Sequence, residues 1–438
     1  MHYHLIGIKG SGMSALACIL KKLGANVTGS DVTNVYFTDE KLNLAGIKPL
    51  AFDKNNINAD IDTIIVGNAF GEDNEEYQQA LRLNVPLVRY YDFVQELVSH
   101  YYSIGICGTN GKTTTTGMVT SIIDPEELVA LIGDGTGLAG SNAKTFVFEA
   151  CEYKNTFHHY HPNVAVVTNI EMDHPDFFKD IKQMIDSYQE FVNQAELLVY
   201  NADDANTSSL YHNNCFGFGI DNKEADVNLI DLVTDDQGAT FKLVIDNNTY
   251  GPYTLPLFGM HMVYNALCAI SVSYKIGIDI DTIINNLSHF NGVSRRFNVH
   301  ELNKDKGIYL IDDYAHHPTS IALTLNGIRQ RYPDYTVSCL FQAHTYSRVN
   351  MFHKEFAKSL SIADNVYIDD IYGSIREQSP QVSKQVMIDD LKALGAHVIE
   401  DIVELKEVAN NHIIALLGAG DIDIYMIPKI KELINNME

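Results

Sequence analysis

Short apolar runs alternate with amphipathic stretches along the first hundred residues of the chain. Apolar runs of about four to eight residues are typical of buried strands, and apolar positions repeating every three or four residues are typical of helices. The predicted strands are 4–8, 26–31, 62–67 and 86–90, and the predicted helices are 11–23, 73–83 and a segment that ends near His100. Strand and helix in turn, joined by short connections, predict a doubly wound parallel sheet.

A second unit follows the same alternation and then departs from it. Its apolar runs and helical patterns are, in chain order, 101–107, 145–150, 164–170, 260–276 and 280–287. Residues 224–258 differ, because their polarity alternates and they contain turn signals such as Asp235-Asp236-Gln237-Gly238. This pattern predicts hairpins at an antiparallel edge of the sheet.

A third unit begins near Asn298, where alternating strands and helices resume. Its predicted elements are, in chain order, 307–313, 321–332, 336–341, 347–360, 365–369, 386–394, 397–400 and 412–418. The chain has no repeat at a solenoid period and no low-complexity segment. The pattern therefore predicts three α/β units joined by short linkers.

Composition and charge exclude several classes of protein. The chain has 56 acidic and 31 basic side chains, a net charge of −25, whereas proteins that bind nucleic acid or anionic lipid usually carry the opposite balance. We therefore expect no nucleic-acid partner. The chain has no run of about 18 apolar residues, so we expect no membrane span. The N-terminus does not resemble a signal peptide. Six scattered cysteines without a C-x-x-C pair suit a reducing cytoplasm.

A glycine-rich segment in the second unit, Gly108–Thr116 (GTNGKTTTT), joins a predicted strand to a helix. Its small residues allow backbone N–H groups to turn towards a phosphate chain, and the positive end of the helix dipole faces the same place. Lys112 would reach the outer phosphates and Thr113 would bind Mg²⁺. Ile106 stands where the general pattern has glycine, but the order of elements still predicts a phosphate loop.

A second glycine-rich turn, Gly7-x-x-Gly10-x-Gly12-Met13-Ser14, lies between the first strand and the first helix. Such a turn fits NAD, FAD or another diphosphate equally well. Asp31 ends the next strand, where an acid that binds a ribose would lie. We expect this turn to bind a nucleotide diphosphate.

Polar residues also follow other predicted strands. Glu149 and His174 come after neighbouring strands of the second unit, and ligands gather at the carboxyl ends of parallel strands, so we expect both beside Lys112 as metal or phosphate ligands. In the third unit, the segments 312–318 (DDYAHHP) and 341–348 (FQAHTYSR) follow strands in the same way. With Arg295-Arg296 they concentrate positive and titratable groups in an acidic chain, where an anionic substrate would be bound.

Taken in order, these motifs resemble the Mur ligase family over essentially the whole chain. The matching segments are GIKGSGMS with GSD, GTNGKTTT, FEACE, TNIEMDHPD, His261 with Asn265, SRRF, DDYAHHP, QAHTYSR and GAGDI. The resemblance implies an α/β protein of three domains: a Rossmann-like N-terminal domain (1–100), a central mixed sheet like that of P-loop ATPases (101–297) and a Rossmann-like C-terminal domain (298–438).

The resemblance also implies an activity and its cofactors. ATP would phosphorylate the lactyl carboxylate of UDP-N-acetylmuramate, and L-alanine would attack the acyl phosphate, in peptidoglycan precursor synthesis. ATP and Mg²⁺ would be the cofactors, in the cytoplasm, with no membrane partner and with monomer and dimer both open. A ligase that recycles murein tripeptide, a nucleotide-binding regulator without catalysis and an NAD-dependent dehydrogenase are the alternatives.

Family roles carry over where the motifs match. The implied ATP site is Gly108, Thr109, Asn110, Gly111, Lys112, Thr113, Thr114, Asn265, Arg296 and Asp313, with Arg295 as a further phosphate contact. The implied metal ligands are Thr113, Glu149 and His174. The implied UDP site is Gly10, Ser11, Gly12, Met13, Ser14 and Asp31, and the implied alanine site is Tyr314, His316 and Arg348. The implied catalytic residues are Lys112, Glu149, His174, Arg296, His316 and Arg348.

Three positions depart from the family pattern. Met262 replaces the usual asparagine after His261, which leaves the adenine contact to Asn265. Ala343 replaces a proline. Thr345 stands where relatives can carry a second basic residue, so Arg348 would be the main group that binds the amino-acid carboxylate.

Overall fold

The computed structural model describes residues 1–373, 382–407 and 410–436, and its strands form three β-sheets. The first sheet has five parallel strands in the order β3-β2-β1-β4-β5, with the central strand β1 leading into the glycine turn. Its elements are β1 (His2–Ile6), α1 (Ser11–Lys22), β2 (Asn26–Asp31), α2 (Asp39–Leu44), β3 (Leu50–Ala51), β4 (Thr63–Val66), α3 (Glu75–Leu83), β5 (Leu87–Arg89) and α4 (Tyr90–His100). The doubly wound sheet predicted from the sequence is confirmed.

The central sheet has ten strands in the order β15-β14-β13-β12-β11-β10-β6-β9-β7-β8. Its elements are β6 (Tyr102–Cys107), α5 (Lys112–Ile122), β7 (Leu128–Leu131), β8 (Gly137–Ala139), β9 (Thr145–Glu149), β10 (Val164–Val167), α6 (Ile181–Val192), β11 (Leu197–Asn201), β12 (Cys215–Ile220), β13 (Val227–Asp235), β14 (Gly238–Ile245), β15 (Asn248–Leu255), α7 (Met260–Lys275) and α8 (Ile280–Ser288). The strands β13, β14 and β15 pair antiparallel at one edge, as predicted for 224–258. The sequence analysis missed the antiparallel hairpin β7–β8 at the other edge.

The third sheet has six strands in the order β16-β17-β21-β18-β19-β20, of which only β16 is antiparallel to its neighbour. Its elements are β16 (Asn298–Asn303), β17 (Ile308–Asp313), α9 (Pro318–Arg331), β18 (Thr336–Gln342), α10 (Tyr346–Leu360), β19 (Asn365–Ile368), α11 (Gln385–Ala393), β20 (His397–Val398), β21 (His412–Gly418) and α12 (Ile422–Asn435). The predicted α/β class with a mixed central sheet is confirmed.

Both faces of the central sheet are buried around β6, β9 and β10, which places the functional groups of these strands at their ends. On β9, Val147 packs in one core with α5 and α7, whereas Phe146 and Phe148 pack in the opposite core with α4 and α6. A parallel strand covered on both sides must be apolar throughout, so polar side chains are confined to the loops beyond its end. In the part of the chain that the structure describes, no helix combines the length and the apolar character that crossing a membrane requires.

Candidate active site

The predicted phosphate loop lies between β6 and α5, and its backbone requires two glycines. Gly108 has φ +136° and Gly111 has φ +86°, a region that side chains other than glycine rarely adopt. A Cβ at Gly108 would lie 2.0 Å from Thr168 Oγ1, and one at Gly111 would lie 2.3 Å from Asn265 Oδ1. Asn265, the expected adenine contact, therefore covers the loop directly.

Hydrogen bonds from the chain after β10 fix the loop in place. Thr109 N–H donates to Asn169 O at 2.9 Å, and Asn110 N–H donates to Asn169 Oδ1 at 2.9 Å. The hydroxyl of Thr109 also donates to Glu171 O at 3.0 Å. The loop is thus preorganised by its own sheet, with Thr113 and Thr114 buried at the start of α5.

Lys112 lies at the centre of the loop and is paired with Glu152. Its Nζ donates to Gly108 O, to Thr109 O at 3.2 Å and to Glu152 Oε1 at 3.0 Å. Burial lowers the pKa of Lys112, but the carboxylates of Glu152 and Glu149 outweigh it and raise that pKa above its ordinary value. Lys112 is therefore a fixed positive charge at neutral pH.

Glu152 is a residue that the sequence analysis missed. It is 1% exposed, burial raises its pKa, and Lys112 and His174 outweigh burial to leave that pKa below its ordinary value. Its second oxygen, Oε2, is buried and has no hydrogen-bond partner among the residues described. Glu152 stands inside the quoted FEACE segment, but its pairing with Lys112, 40 residues away, is a tertiary contact.

The predicted metal ligands meet in part. Thr113 Oγ1 donates to Glu149 Oε2 at 2.7 Å, and Arg296 Nη2 lies 3.5 Å from Thr113 Oγ1. His174, with φ +53°, directs Nε2 towards Glu152 Oε1 at 3.4 Å. The structure therefore brings Thr113 and Glu149 together and links His174 to the same cluster through Glu152.

The donor chemistry suits Mg²⁺. A hydroxyl, a carboxylate and the unpartnered Glu152 oxygen are hard oxygen donors, which Mg²⁺ prefers. The described ranges contain no cluster of three or more His, Cys, Asp or Glu side chains arranged as a metal cage. Mg²⁺ commonly uses one or two carboxylates together with substrate phosphates and water, so this sparse set fits it.

The N-terminal glycine turn faces the central domain. A Cβ at Gly12 would lie 2.3 Å from the Tyr90 hydroxyl oxygen, so a side chain there would collide with α4. Ser14 is fully buried, and its hydroxyl has no hydrogen-bond partner among the residues described. Gly10 is exposed at the mouth of the turn, and Ser11 and Gly12 are partly exposed.

Two predicted UDP contacts serve the turn itself. Asp31 accepts hydrogen bonds from the N–H of Lys9 at 2.7 Å and of Val32 at 2.8 Å. Burial raises its pKa, although these two hydrogen bonds oppose the rise. Met13 is 5% exposed and packs in the core of the first sheet. Asp31 thus fixes the turn, and Met13 anchors its helix.

Tyr314, His316 and Arg348 come together at the edge of the third sheet. The rings of Tyr314 and His316 lie 5.3 Å apart, edge to face, and His316 Nδ1 donates to Tyr314 O at 2.9 Å. Burial, and next the charge of Arg348, hold the pKa of His316 well below its ordinary value. A neutral imidazole beside a guanidinium can accept a hydrogen bond without competing for an anion.

Arg348 itself points at a carboxylate of the central domain. Its Nη2 lies 2.7 Å and its Nε 3.2 Å from Asp173 Oδ1, and Nη1 donates to His344 O at 3.4 Å. Asp173, which the sequence analysis also missed, belongs to the TNIEMDHPD segment. The ion pair between Arg348 and Asp173 therefore joins the expected amino-acid site to the central domain.

The two adjacent arginines have different partners. Arg295 donates to Gly418 O at 2.6 Å and to Gly420 O at 3.0 Å, so its guanidinium binds the third sheet and not a phosphate. Arg296 faces Thr113, and both guanidinium groups lie about 5 Å from the Tyr314 ring. Of the two, Arg296 is the one placed for the phosphate site.

Asp313, the expected ribose contact, accepts hydrogen bonds from backbone amides. Its oxygens accept from Phe297 N–H and Ala315 N–H, each at 2.8 Å. Burial raises its pKa above the ordinary value, although Arg296 opposes the rise. The carboxylate fixes the linker against β17, and that role leaves it little freedom to turn towards a ribose.

Three family models match the chain in succession. The one described as Mur ligase family, catalytic domain, matches residues 2–102, the Mur ligase middle domain matches 106–273, and the Mur ligase, glutamate ligase domain matches 295–424. Together they leave unmatched residue 1, residues 103–105, the stretch 274–294 that contains α8, and residues 425–438.

Solved structures share the fold of this chain over most or all of its length. The chain is similar to a UDP-N-acetylmuramate–alanine ligase of Thermotoga maritima, with a TM-score of 0.84, 27% identity and 100% of both chains covered. It shares the fold of a murein peptide ligase of Psychrobacter arcticus, with a TM-score of 0.71, 21% identity and coverage of 100% and 99%. It also shares the fold of a MurF ligase of Thermotoga maritima in complex with ADP, with a TM-score of 0.64, 15% identity and coverage of 89% and 98%.

Proposed function

This chain belongs to the Mur ligase family, and we propose that it joins L-alanine to the lactyl carboxylate of UDP-N-acetylmuramate at the expense of ATP. The full-length similarity to an alanine ligase, at 27% identity, supports this member of the family. The observation that carries the proposal is the convergence of the phosphate loop, Arg296 and the Arg348–Asp173 pair at one junction.

The phosphoryl step is a matter of positioning and charge. A carboxylate is a poor electrophile, and transfer of a phosphoryl group from ATP gives it a leaving group. Lys112 and Arg296 neutralise charge on the transferring group, in a loop whose geometry is fixed before substrate arrives. Mg²⁺, bound by Thr113 and Glu149 with Glu152 nearby, would supply further charge neutralisation.

The amide step needs a free amine and a held carboxylate. Arg348 binds the carboxylate of L-alanine, since a buried carboxylate requires a charged hydrogen-bonding partner. Burial and the charge of Arg348 keep His316 neutral, so it can accept a hydrogen bond on the amine side as the amine attacks. The proton that the amine loses leaves with the phosphate. The resulting tetrahedral intermediate collapses to the amide and phosphate.

We assign one role to the domain built around each of the three sheets. We propose a UDP-substrate domain over 1–100, an ATP domain over 101–297 and a domain over 298–438 that binds the amino acid and closes on ATP. The protein would act in the cytoplasm on small molecules, in the synthesis of peptidoglycan precursors.

A product assay tests the proposal. ADP and phosphate release are measured with UDP-N-acetylmuramate and Mg-ATP, with L-alanine, glycine, L-serine or murein tripeptide as the acceptor, and the nucleotide product is weighed by mass spectrometry. We expect the alanyl product and much slower reaction with the tripeptide. A tripeptide product formed faster than the alanyl product would assign the recycling activity instead, and binding without any amide would assign a regulator.

A further inference from the structure

Residues 293–296 form the linker between the central and third sheets, and each of these four residues contacts a different part of the protein. Val293 packs against α5 so closely that a Cβ at Gly117 would lie 2.4 Å from Val293 Cγ1. Arg295 binds carbonyls of the third sheet, and Arg296 faces Thr113 in the phosphate site. The position of Arg296 therefore depends on how residues 293–295 are held.

Ser294 is held by Asp134, which lies in the turn between β7 and β8. The N–H of Ser294 donates to Asp134 Oδ2 at 3.0 Å. The same oxygen lies 2.8 Å from Lys41 Nζ, which reaches across from α2 in the UDP-substrate domain. One carboxylate oxygen thus joins the first sheet's domain to the linker that leads to Arg296.

Lys41 Nζ makes three polar contacts with the β7–β8 turn of the central domain. Lys41 Nζ also donates to Asp134 O at 2.7 Å and to Thr136 Oγ1 at 2.6 Å. The two side chains are 19% and 7% exposed, whereas those of the ion pair Lys144–Glu127 on the same sheet are 62% and 42% exposed. Exposed pairs contribute little, but removing one partner of a buried pair leaves an uncompensated charge.

The β7–β8 turn also lies against the helix that begins at the glycine turn. A Cβ at Gly137 would lie 1.9 Å from Ala15 O, so β8 packs directly on the backbone of α1. Gly135 approaches Ser14 of the glycine turn, and Gly133 approaches Glu149 of the metal site. The turn therefore spans from the proposed UDP site to the proposed metal site.

We propose that Lys41 and Asp134 form a positioning pair that places Arg296 against the ATP phosphates through the backbone of Ser294. The inference rests on the proposed function, since it takes Arg296 as a phosphate ligand. Docking of the UDP-substrate domain would then complete the ATP site, without contact between Lys41 and ATP.

A double-mutant cycle on ADP affinity tests this pair. Mg-ADP binding is measured by calorimetry for the wild type, Lys41→Met, Arg296→Ala and the double variant. We expect Lys41→Met to raise the ADP Kd about fivefold when Arg296 is present and to have no further effect when it is absent, because residues coupled in one network are not additive. Asp134→Asn should give the same pattern, and Lys41→Arg should restore most of the affinity.

Controls separate this effect from loss of folding. Lys144→Met removes the exposed pair of the same sheet and should leave the ADP Kd within about 1.5-fold of wild type. Each variant is checked by thermal melting, and Asp134→Asn replaces Lys41→Met if the latter does not fold. Equal effects of Lys41→Met with and without Arg296, or no effect at all, would overturn the proposal.

The proposed function fails on a different measurement. If the protein binds Mg-ADP with the expected coupling but makes no alanyl amide, the positioning pair is supported and the proposed substrate is wrong. If the protein makes the amide but the effects of Lys41→Met and Arg296→Ala on ADP affinity are additive, the proposed function is supported and the positioning pair is wrong.

Discussion

Arg348 and Asp173 form a buried ion pair between the third sheet and the central domain, with Nη2 2.7 Å from Oδ1 and both residues 4% exposed. Burial raises the pKa of Asp173, but Arg348 outweighs it and holds that pKa well below its usual range. The two groups lie 175 positions apart in the chain. Arg348 is therefore oriented by a protein carboxylate at the place where the carboxylate of the amino acid is expected.

Replacing Arg348 by alanine should raise the KM for L-alanine far more than the KM for ATP. Loss of a buried charge partner costs about 2–5 kcal/mol, on the order of 10²-fold or more in affinity. Asp173 would also lose its partner, so the melting temperature should fall. Steady-state kinetics with each substrate varied in turn measures the split.

The matched control is Arg329→Ala, which removes a more exposed arginine–aspartate pair of the same sheet. It should leave both KM values unchanged. If Arg348→Ala folds and its alanine KM is that of the wild type, or if the ATP KM rises equally, Arg348 is only a structural link to Asp173.

Apolar periodicity was sufficient to predict most of the fold, because strands buried on both faces must be apolar throughout. It failed at the hairpin β7–β8, where the apolar run Leu128–Leu131 is followed by the glycine-rich stretch 133–137 and not by a helix. The sequence analysis also predicted none of α6, β11, β12 and α12. The site was predicted where residues adjoin a strand end, as Lys112 and Glu149 do.

The remaining site residues depend on tertiary contacts that no local pattern encodes. Glu152 belongs to the site because Lys112 donates a hydrogen bond to it. Asp173 belongs to the site because Arg348 donates a hydrogen bond to it. Arg295 and Arg296 are neighbours of identical chemistry, and only the fold directs one to the third sheet and the other to Thr113. Sequence spacing could not distinguish them.

Replacing Lys112 by alanine should abolish turnover and leave binding of UDP-N-acetylmuramate nearly intact. Its Nζ donates within the phosphate loop, to Gly108 and Thr109, and to Glu152, and none of these partners belongs to the glycine turn of the first sheet. Product release is measured together with calorimetric binding of the UDP substrate. Lys182→Ala, which removes an exposed pair on α6, is the control. A loss of UDP-substrate affinity as large as the loss of rate would contradict separate sites.

The first domain should bind a UDP-sugar and not NAD. Its glycine turn would suit either diphosphate, but the residues at the neighbouring strand ends suit phosphoryl transfer and not hydride transfer. Competition titration with UDP-N-acetylmuramate, UDP and NAD distinguishes them. Gly12→Ala should weaken binding of the UDP ligand, since its Cβ would lie 2.3 Å from the Tyr90 hydroxyl oxygen and would force that side chain or the turn to move. Tight NAD binding that no UDP compound displaces would reject the assignment.

Asp312 should make the stability of the protein depend on pH. Burial raises its pKa from 3.8 to about 7, although Arg295 opposes the rise and Asp423 adds to it. Asp312 Oδ1 lies 3.8 Å from Arg295 Nε, and neither atom has a hydrogen-bond partner among the residues described. The folded state therefore favours the neutral carboxyl group.

The sign follows from proton binding. Between about pH 4 and pH 7 the folded protein retains the proton of Asp312 and the unfolded chain has lost it, so the stability that this group contributes is complete below pH 4 and is lost as the pH rises through 7. Asp312→Asn fixes the neutral form. The melting temperature of the variant minus that of the wild type should increase from pH 4 to pH 7 and level off above about pH 8. Asp305→Asn, at an exposed position, is the control for removal of one carboxylate from the same unit, and its melting temperature is measured over the same pH range. A constant difference for Asp312→Asn would mean that Arg295 keeps Asp312 ionised throughout.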